Sequence, residues 1–192
     1  MDAAVDPDEA LVARYAAGDV AAFETLYSRH ELPLWRYLLR NCGERGTAEE
    51  LMQEVWFTVT REAPRFRADG RFTAWLYTLA RNRVIDRHRT RRRHESLDAT
   101  GTDDAPPLAE RLADERAPTP LEASVRAETG AAILSALALL PVEQREAFVL
   151  QAETGMSVAD IADVTGTNFE TAKSRLRYAR ERLKALLRDH TP

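Results

Sequence analysis

Ser157-Val158-Ala159-Asp160-Ile161-Ala162-Asp163-Val164-Thr165-Gly166-Thr167-Asn168-Phe169-Glu170-Thr171-Ala172-Lys173-Ser174-Arg175-Leu176-Arg177 is the stretch on which the fold turns. Ser157 with Asp160 has the form of a capping box, and Ile161, Ala162 and Val164 follow as an apolar face. Thr165-Gly166-Thr167 then reads as a turn, and Asn168 as the cap of a longer last helix, together a helix-turn-helix. In that last helix Ala172, Leu176, Ala179, Leu183 and Leu186 or Leu187 recur every three or four residues and should face a core. Lys173, Arg177, Arg180 and Lys184 make a cationic face away from it, with Glu170, Thr171 and Ser174 at its start. Such a helix suits a major groove and its phosphates. The competing reading is a basic, solvated bundle helix; the glycine turn favours DNA.

Working outward, helical periodicity dominates the chain and predicts an all-α protein of two small helical domains. Before the helix-turn-helix stand expected helices over 127–140 and, after Pro141, over 142–153. Residues 94–125 are turn-rich and acidic and read as a flexible linker, with a possible short helix over 108–116. In the first half, Gly18-Asp19 should end one short helix and cap a second, bent or interrupted near Pro33 and stopped by Gly43 and Gly46. Phe23, Leu26, Tyr27, Leu34, Trp35 and Leu38 supply its apolar stripe. Thr47-Ala48-Glu49-Glu50 looks like a capping box opening a third helix, with Leu51, Val55, Phe57 or Thr58 and Val59 available to the core. A fourth helix is expected over 71–93, with Phe72, Trp75, Leu76 and Leu79 as its stripe. The predicted division is a tail 1–9, a first domain 10–93, the linker 94–125 and a second domain 126–192.

The 192 residues carry a formal net charge of -4, which alone speaks against a nucleic-acid partner. Counted along the chain, however, residues 65–93 carry +8 and residues 168–188 carry +5, hidden among acidic blocks. A single cysteine, Cys42, leaves no internal disulfide or Cys-rich zinc site. The acidic N-terminus is unlike a signal peptide and no apolar run is long enough to span a bilayer, so a cytoplasmic protein is expected. His30-Glu31-Leu32-Pro33 lacks the second histidine of a zinc protease motif, and there is no phosphate-binding loop or nucleophile elbow, which disfavours an enzyme.

The first basic block interleaves aromatics with cations from Arg65 to Arg83, a pattern that holds a strand by its backbone while pocketing unpaired bases. Phe72 and Trp75 also fit a core. Tyr77, Arg81, Asn82 and the loop from Arg67 to Arg71 lie off that stripe and are the better contact candidates.

Leu51-Met52-Gln53-Glu54-Val55-Trp56, Arg71-Phe72-Thr73-Ala74-Trp75-Leu76-Tyr77-Thr78-Leu79-Ala80-Arg81-Asn82, Leu140-Pro141-Val142-Glu143-Gln144-Arg145-Glu146-Ala147 and Thr171-Ala172-Lys173-Ser174-Arg175-Leu176 together resemble the extracytoplasmic-function (group IV) sigma factors of the sigma-70 family. The resemblance implies a region-2 domain tethered to a region-4 domain, in a subunit that directs core RNA polymerase to promoters, promotes strand opening and catalyses nothing itself. It implies that Glu49, Glu50, Gln53 and Glu54 grip the clamp helices of the largest polymerase subunit, and that the flap of the second-largest is a further contact. It implies that Arg67, Arg71, Phe72, Trp75, Tyr77, Arg81, Asn82 and Arg89 serve the minus-ten element. Thr171, Lys173, Ser174, Arg175, Arg177 and Arg180 would serve the minus-thirty-five element. An anti-sigma factor or other regulator is implied as a partner; no cofactor, metal or membrane insertion is.

Two departures from the family pattern stand out. Many relatives have Asp where Thr47 stands; Thr47 reads as an equivalent N-cap, or else as a phosphorylation site that restores the charge. Many relatives carry a basic residue where Tyr178 stands and His or Phe where Arg177 stands, so the minus-thirty-five sequence read should differ. An ordinary helix-turn-helix regulator would explain the C-terminal half only. A protein that merely sequesters polymerase would need neither basic block.

Overall fold

The computed structural model describes residues 6–67, 70–97 and 132–188, all of whose regular elements are helical. The first lobe holds α1 (Asp8–Ala16), α2 (Val20–Cys42), α3 (Arg45–Glu62), a 3-10 turn (Ala63–Arg65) and α4 (Phe72–Leu97). The second holds α5 (132–138), α6 (Val142–Thr154), α7 (Val158–Thr165) and α8 (Phe169–Arg188). The predicted helix over 108–116 and nearly all of the predicted linker lie outside the described residues, and α4 runs past the expected boundary at residue 93 to Leu97.

Local chemistry sets most helix ends. Asp19 accepts from the N–H groups of Ala21 and Ala22 at 3.1 and 3.4 Å, and Gly18, at φ 102°, makes the tight link from α1. Ser157 and Asp160 form the reciprocal capping box at the start of α7, and Gly166 ends it in the left-handed conformation. Asn168 accepts from the Thr171 N–H at 2.8 Å and so caps α8. The start of α4 is satisfied from a distance: Glu9 of α1 accepts from the Phe72 N–H at 2.9 Å.

Three expectations are corrected. Of the two outcomes expected at Pro33, interruption is ruled out: α2 runs on through it, because Leu26, Leu34, Tyr37 and Leu38 are all fully buried and packing on both sides of the proline outweighs the lost hydrogen bond. Gly46 does not stop α2; it sits inside α3, which begins two residues before Thr47 because Gly43 alone ends α2. Thr47 is therefore not an N-cap. It is buried within α3, its hydroxyl donating to Glu44 at 2.9 Å.

The lobes pack on each other, α6 against α2 and α7 against α4. Their buried apolar side chains form one continuous cluster, from Leu11 and Val12 through Leu38, Val55 and Leu76 to Leu150, Ile161 and Leu176. Burial of this apolar surface, at roughly 25 cal/mol per Å², is the main force holding the helices together.

Candidate nucleic-acid interface

α8 divides as its periodicity predicts. Ala172, Leu176, Ala179 and Leu183 are buried, while Lys173, Arg177, Arg180 and Lys184 are exposed. Thr171, Ser174 and Arg175 are half-buried along the edge of the cationic face. The Arg177 guanidinium lies 4.7 Å from the centroid of the exposed Tyr178 ring, and Arg180 reaches back to Gln151 of α6.

On α4 the predicted residues separate into two sets. Phe72 is fully buried among His30, Phe66 and Trp75, with ring centroids 5.3, 6.1 and 5.9 Å away. Tyr77, expected off the apolar stripe, is also fully buried, its ring edge-on to Tyr37 at 5.2 Å. Its hydroxyl has no hydrogen-bond partner, and burial pushes its pKa well above the ordinary tyrosine value. The apolar spacing of α4 marks only one core-facing side. In the structure α4 is held on several sides, by α2 and α3 and by α7, so Tyr77 and Ala80 are buried while Trp75 and Leu79 move to a half-exposed edge. Asn82, Arg89 and Arg67 are exposed.

Two of the predicted cations face the other lobe. Arg81 donates to Glu146 of α6 at 2.9 Å, and Arg71 pairs with Asp160 of α7. Arg40 of α2 pairs with Glu153 in the same interface. Burial raises the pKa of Glu146 against the pull of Arg81, and the neighbouring Tyr37 is raised by burial and by that carboxylate. Burial also opposes the ionised form of Asp160, but hydrogen bonds from Ser157 and Arg71 hold its pKa below the usual carboxylate value. Nothing in the periodicity marks Glu146, Glu153 or Asp160 as inter-lobe partners; Glu146 and Asp160 lie in motifs whose pattern points to other roles, and Glu153 lies in none.

The acidic face of α3 is intact. Glu49, Glu50, Gln53 and Glu54 are all exposed, with Glu50 and Glu54 at 3.5 and 3.3 Å from Arg87 and Arg83 of α4. Phe57, one turn on from Gln53 and Glu54, is 67% exposed, and Thr58 takes the buried position between the two candidates.

Residues 26–94 match the family described as Sigma-70 region 2, and residues 130–183 match Sigma-70, region 4. The ECF RNA polymerase sigma factor SigM of Mycobacterium tuberculosis is 34% identical over 180 residues, covering 94% of this chain and 84% of that protein. SigL of the same species is 32% identical over 181 residues, covering 94% and 97%. The chain belongs to the ECF sigma factors of the sigma-70 family. This sigma factor is thus a transcription initiation factor that gives RNA polymerase its promoter specificity, which accounts for the first lobe as a stand-alone DNA-binding regulator does not. Its architecture is similar to that of CnrH, solved with the cytosolic domain of CnrY, at a TM-score of 0.66 and 26% identity, covering 97% of this chain and 100% of CnrH. Among the sigma factor's described residues no helix is long and apolar enough to cross a membrane.

Proposed function

We propose that this sigma factor binds core polymerase through the α3 face of Glu49, Glu50, Gln53 and Glu54, and reads the minus-thirty-five element with α8. The α3 carboxylates and amide suit a basic groove such as the clamp helices, whereas the +5 charge of residues 168–188 suits phosphate. The observation that carries the reading is the segregation on α8: every buried position is apolar, and Lys173, Arg177, Arg180 and Lys184 are exposed together on the second helix of a helix-turn-helix. Thr171, Ser174 and Arg175 contribute at its edge.

Strand opening and minus-ten recognition fall to Arg67, Trp75, Asn82 and Arg89, whose side chains are exposed or half-exposed, joined by Arg71 and Arg81 once the lobes part. Phe72 and Tyr77 act from the core, by fixing the shape of α4, and do not pocket bases themselves. The packed arrangement, in which Asp160 and Glu146 occupy two of these cations, is the form a regulator such as an anti-sigma factor would hold; the flap of the second-largest subunit would engage the second lobe in the open form. Both act where core polymerase does, in the cytoplasm.

The full chain, mixed with core polymerase and a promoter library randomised over both elements, should yield transcripts from a restricted set of sequences. Glu50→Lys with Glu54→Lys should abolish core binding while leaving the chain folded. Tight binding of duplex DNA without polymerase, and no initiation with it, would overturn the reading.

A further inference from the structure

Phe169 is the first residue of α8, and its ring is 49% exposed. It is not among the side chains that pack on the apolar core, and it closes no turn, since Asn168 already caps the helix. About half of this large apolar side chain is left in water, so its contribution to the core is small. Among the described residues it meets Lys173, whose ammonium lies 5.9 Å from the ring centroid and 3.8 Å from Glu170. Phe169 and Lys173 are one turn apart, so the ring stands at the start of the face that carries the cations.

The first turn of the second helix is the part of a helix-turn-helix that reaches base edges. Base edges in the major groove are hydrogen-bonding groups with one apolar exception, the 5-methyl of thymine, which phenylalanine can cover. A ring flanked by an ammonium combines the two requirements: the cation holds the helix to phosphate or guanine, and the ring lies over the methyl. We propose that Phe169 is a specificity-determining residue that recognises a thymine 5-methyl in the minus-thirty-five element. This rests on the reading of α8 as the helix that meets that element.

Replacing thymine by uracil removes the methyl and leaves every hydrogen-bonding group in place. The test uses holoenzyme formed from the full chain and core polymerase, on a promoter recovered from the randomised library, with uracil placed singly at each thymine of either strand in the minus-thirty-five element. At one or two positions uracil should weaken promoter affinity about fourfold, the effect of leaving one methyl-sized apolar group uncovered. Phe169→Ala holoenzyme should lose about the same factor on the thymine promoter and show no further loss with uracil, with thermal unfolding close to the parent's because the residue is outside the core cluster. The proposal is overturned if uracil is equivalent to thymine throughout, if the selected element has no thymine preference, or if Phe169→Ala keeps the same methyl sensitivity. Lys173→Ala and Arg177→Ala separate the two levels. If they weaken promoter binding while the methyl does not matter, Phe169 alone has been misread; if they too have no effect, the reading of α8 fails with it.

Discussion

Arg81 of α4 donates through Nε to Oε1 of Glu146 on α6 at 2.9 Å, joining the two lobes through a largely buried ion pair. The Tyr37 hydroxyl donates to the same oxygen at 3.4 Å. Removing one partner of such a pair leaves the other charge buried without compensation. Arg81→Ala is therefore expected to weaken the inter-lobe contact by about 2 kcal/mol, and Glu146→Ala by a similar amount. The double variant should lose less than the sum. Distances between fluorophores on α2 and α8, measured by energy transfer in the free chain, should lengthen in each single variant. An unchanged distance distribution would show that the apolar contacts alone hold the lobes.

The orphaned hydroxyl makes Tyr77→Phe a diagnostic substitution. Deleting a buried hydroxyl with no partner removes a desolvation cost, so the variant should be as stable as the parent or more stable by about 1 kcal/mol. Phe72→Ala, by contrast, should cost about 3 to 5 kcal/mol. Thermal unfolding distinguishes the two, and transcription by Tyr77→Phe should be undiminished. A loss of strand opening in that stable variant would mean that Tyr77 leaves the core when DNA binds.

Thr47 is buried, its hydroxyl donating to Glu44 and 3.5 Å from Arg87, so a negative charge added here would be desolvated beside an existing carboxylate, with only the Arg87 guanidinium to offset it. Thr47→Glu sets a second carboxylate beside Glu44 and should lower stability by about 2 kcal/mol. It should not raise affinity for core polymerase above that of Thr47→Ala. A tighter complex from Thr47→Glu would revive a role for phosphorylation at this residue.

Acid should loosen the first lobe through Asp8. A hydrogen bond from His30 at 2.6 Å, with Arg29 at 2.8 Å, outweighs partial burial and holds its carboxyl below the ordinary aspartate value. Because the folded pKa is depressed, the stabilisation is present above the unfolded value and is lost as pH falls through the folded one. Asp8→Asn should cost about 1 to 2 kcal/mol near neutrality and flatten the decline in melting temperature below pH 4. Equal acid sensitivity in both proteins would assign the decline to other carboxylates.

Much of this architecture is legible in local pattern. The cap at Asp19, the capping box at Ser157 and Asp160 and the cap at Asn168 act through neighbours within three residues, so the chain states them directly. The split of α8 into a buried stripe and a cationic face follows from its period alone. The departures from local pattern have two sources, a neighbouring helix end at Thr47 and tertiary packing at Tyr77. Thr47-Ala48-Glu49-Glu50 has the pattern of a helix start, yet α3 begins at Arg45 because Gly43 already ends α2. Tyr77 looked like a surface aromatic because one stripe of α4 sufficed for the first lobe; the neighbours on its other sides were not visible in the spacing.

From the residues alone it follows that the chain is helical, that it carries two cationic segments in an acidic whole, and that its ordered motifs are those of an ECF sigma factor. These are properties of period, composition and short-range order. Which of the segregated groups are exposed and which are paired follows from the packing of the helices. Arg71 and Arg81 belong to the first basic block, yet each meets a carboxylate from the other lobe, while Lys173 and Arg177 remain exposed. Pairing between residues 65 and 89 positions apart depends on how the helices stack, and stacking is set by the summed burial of many apolar side chains, which no local stretch encodes.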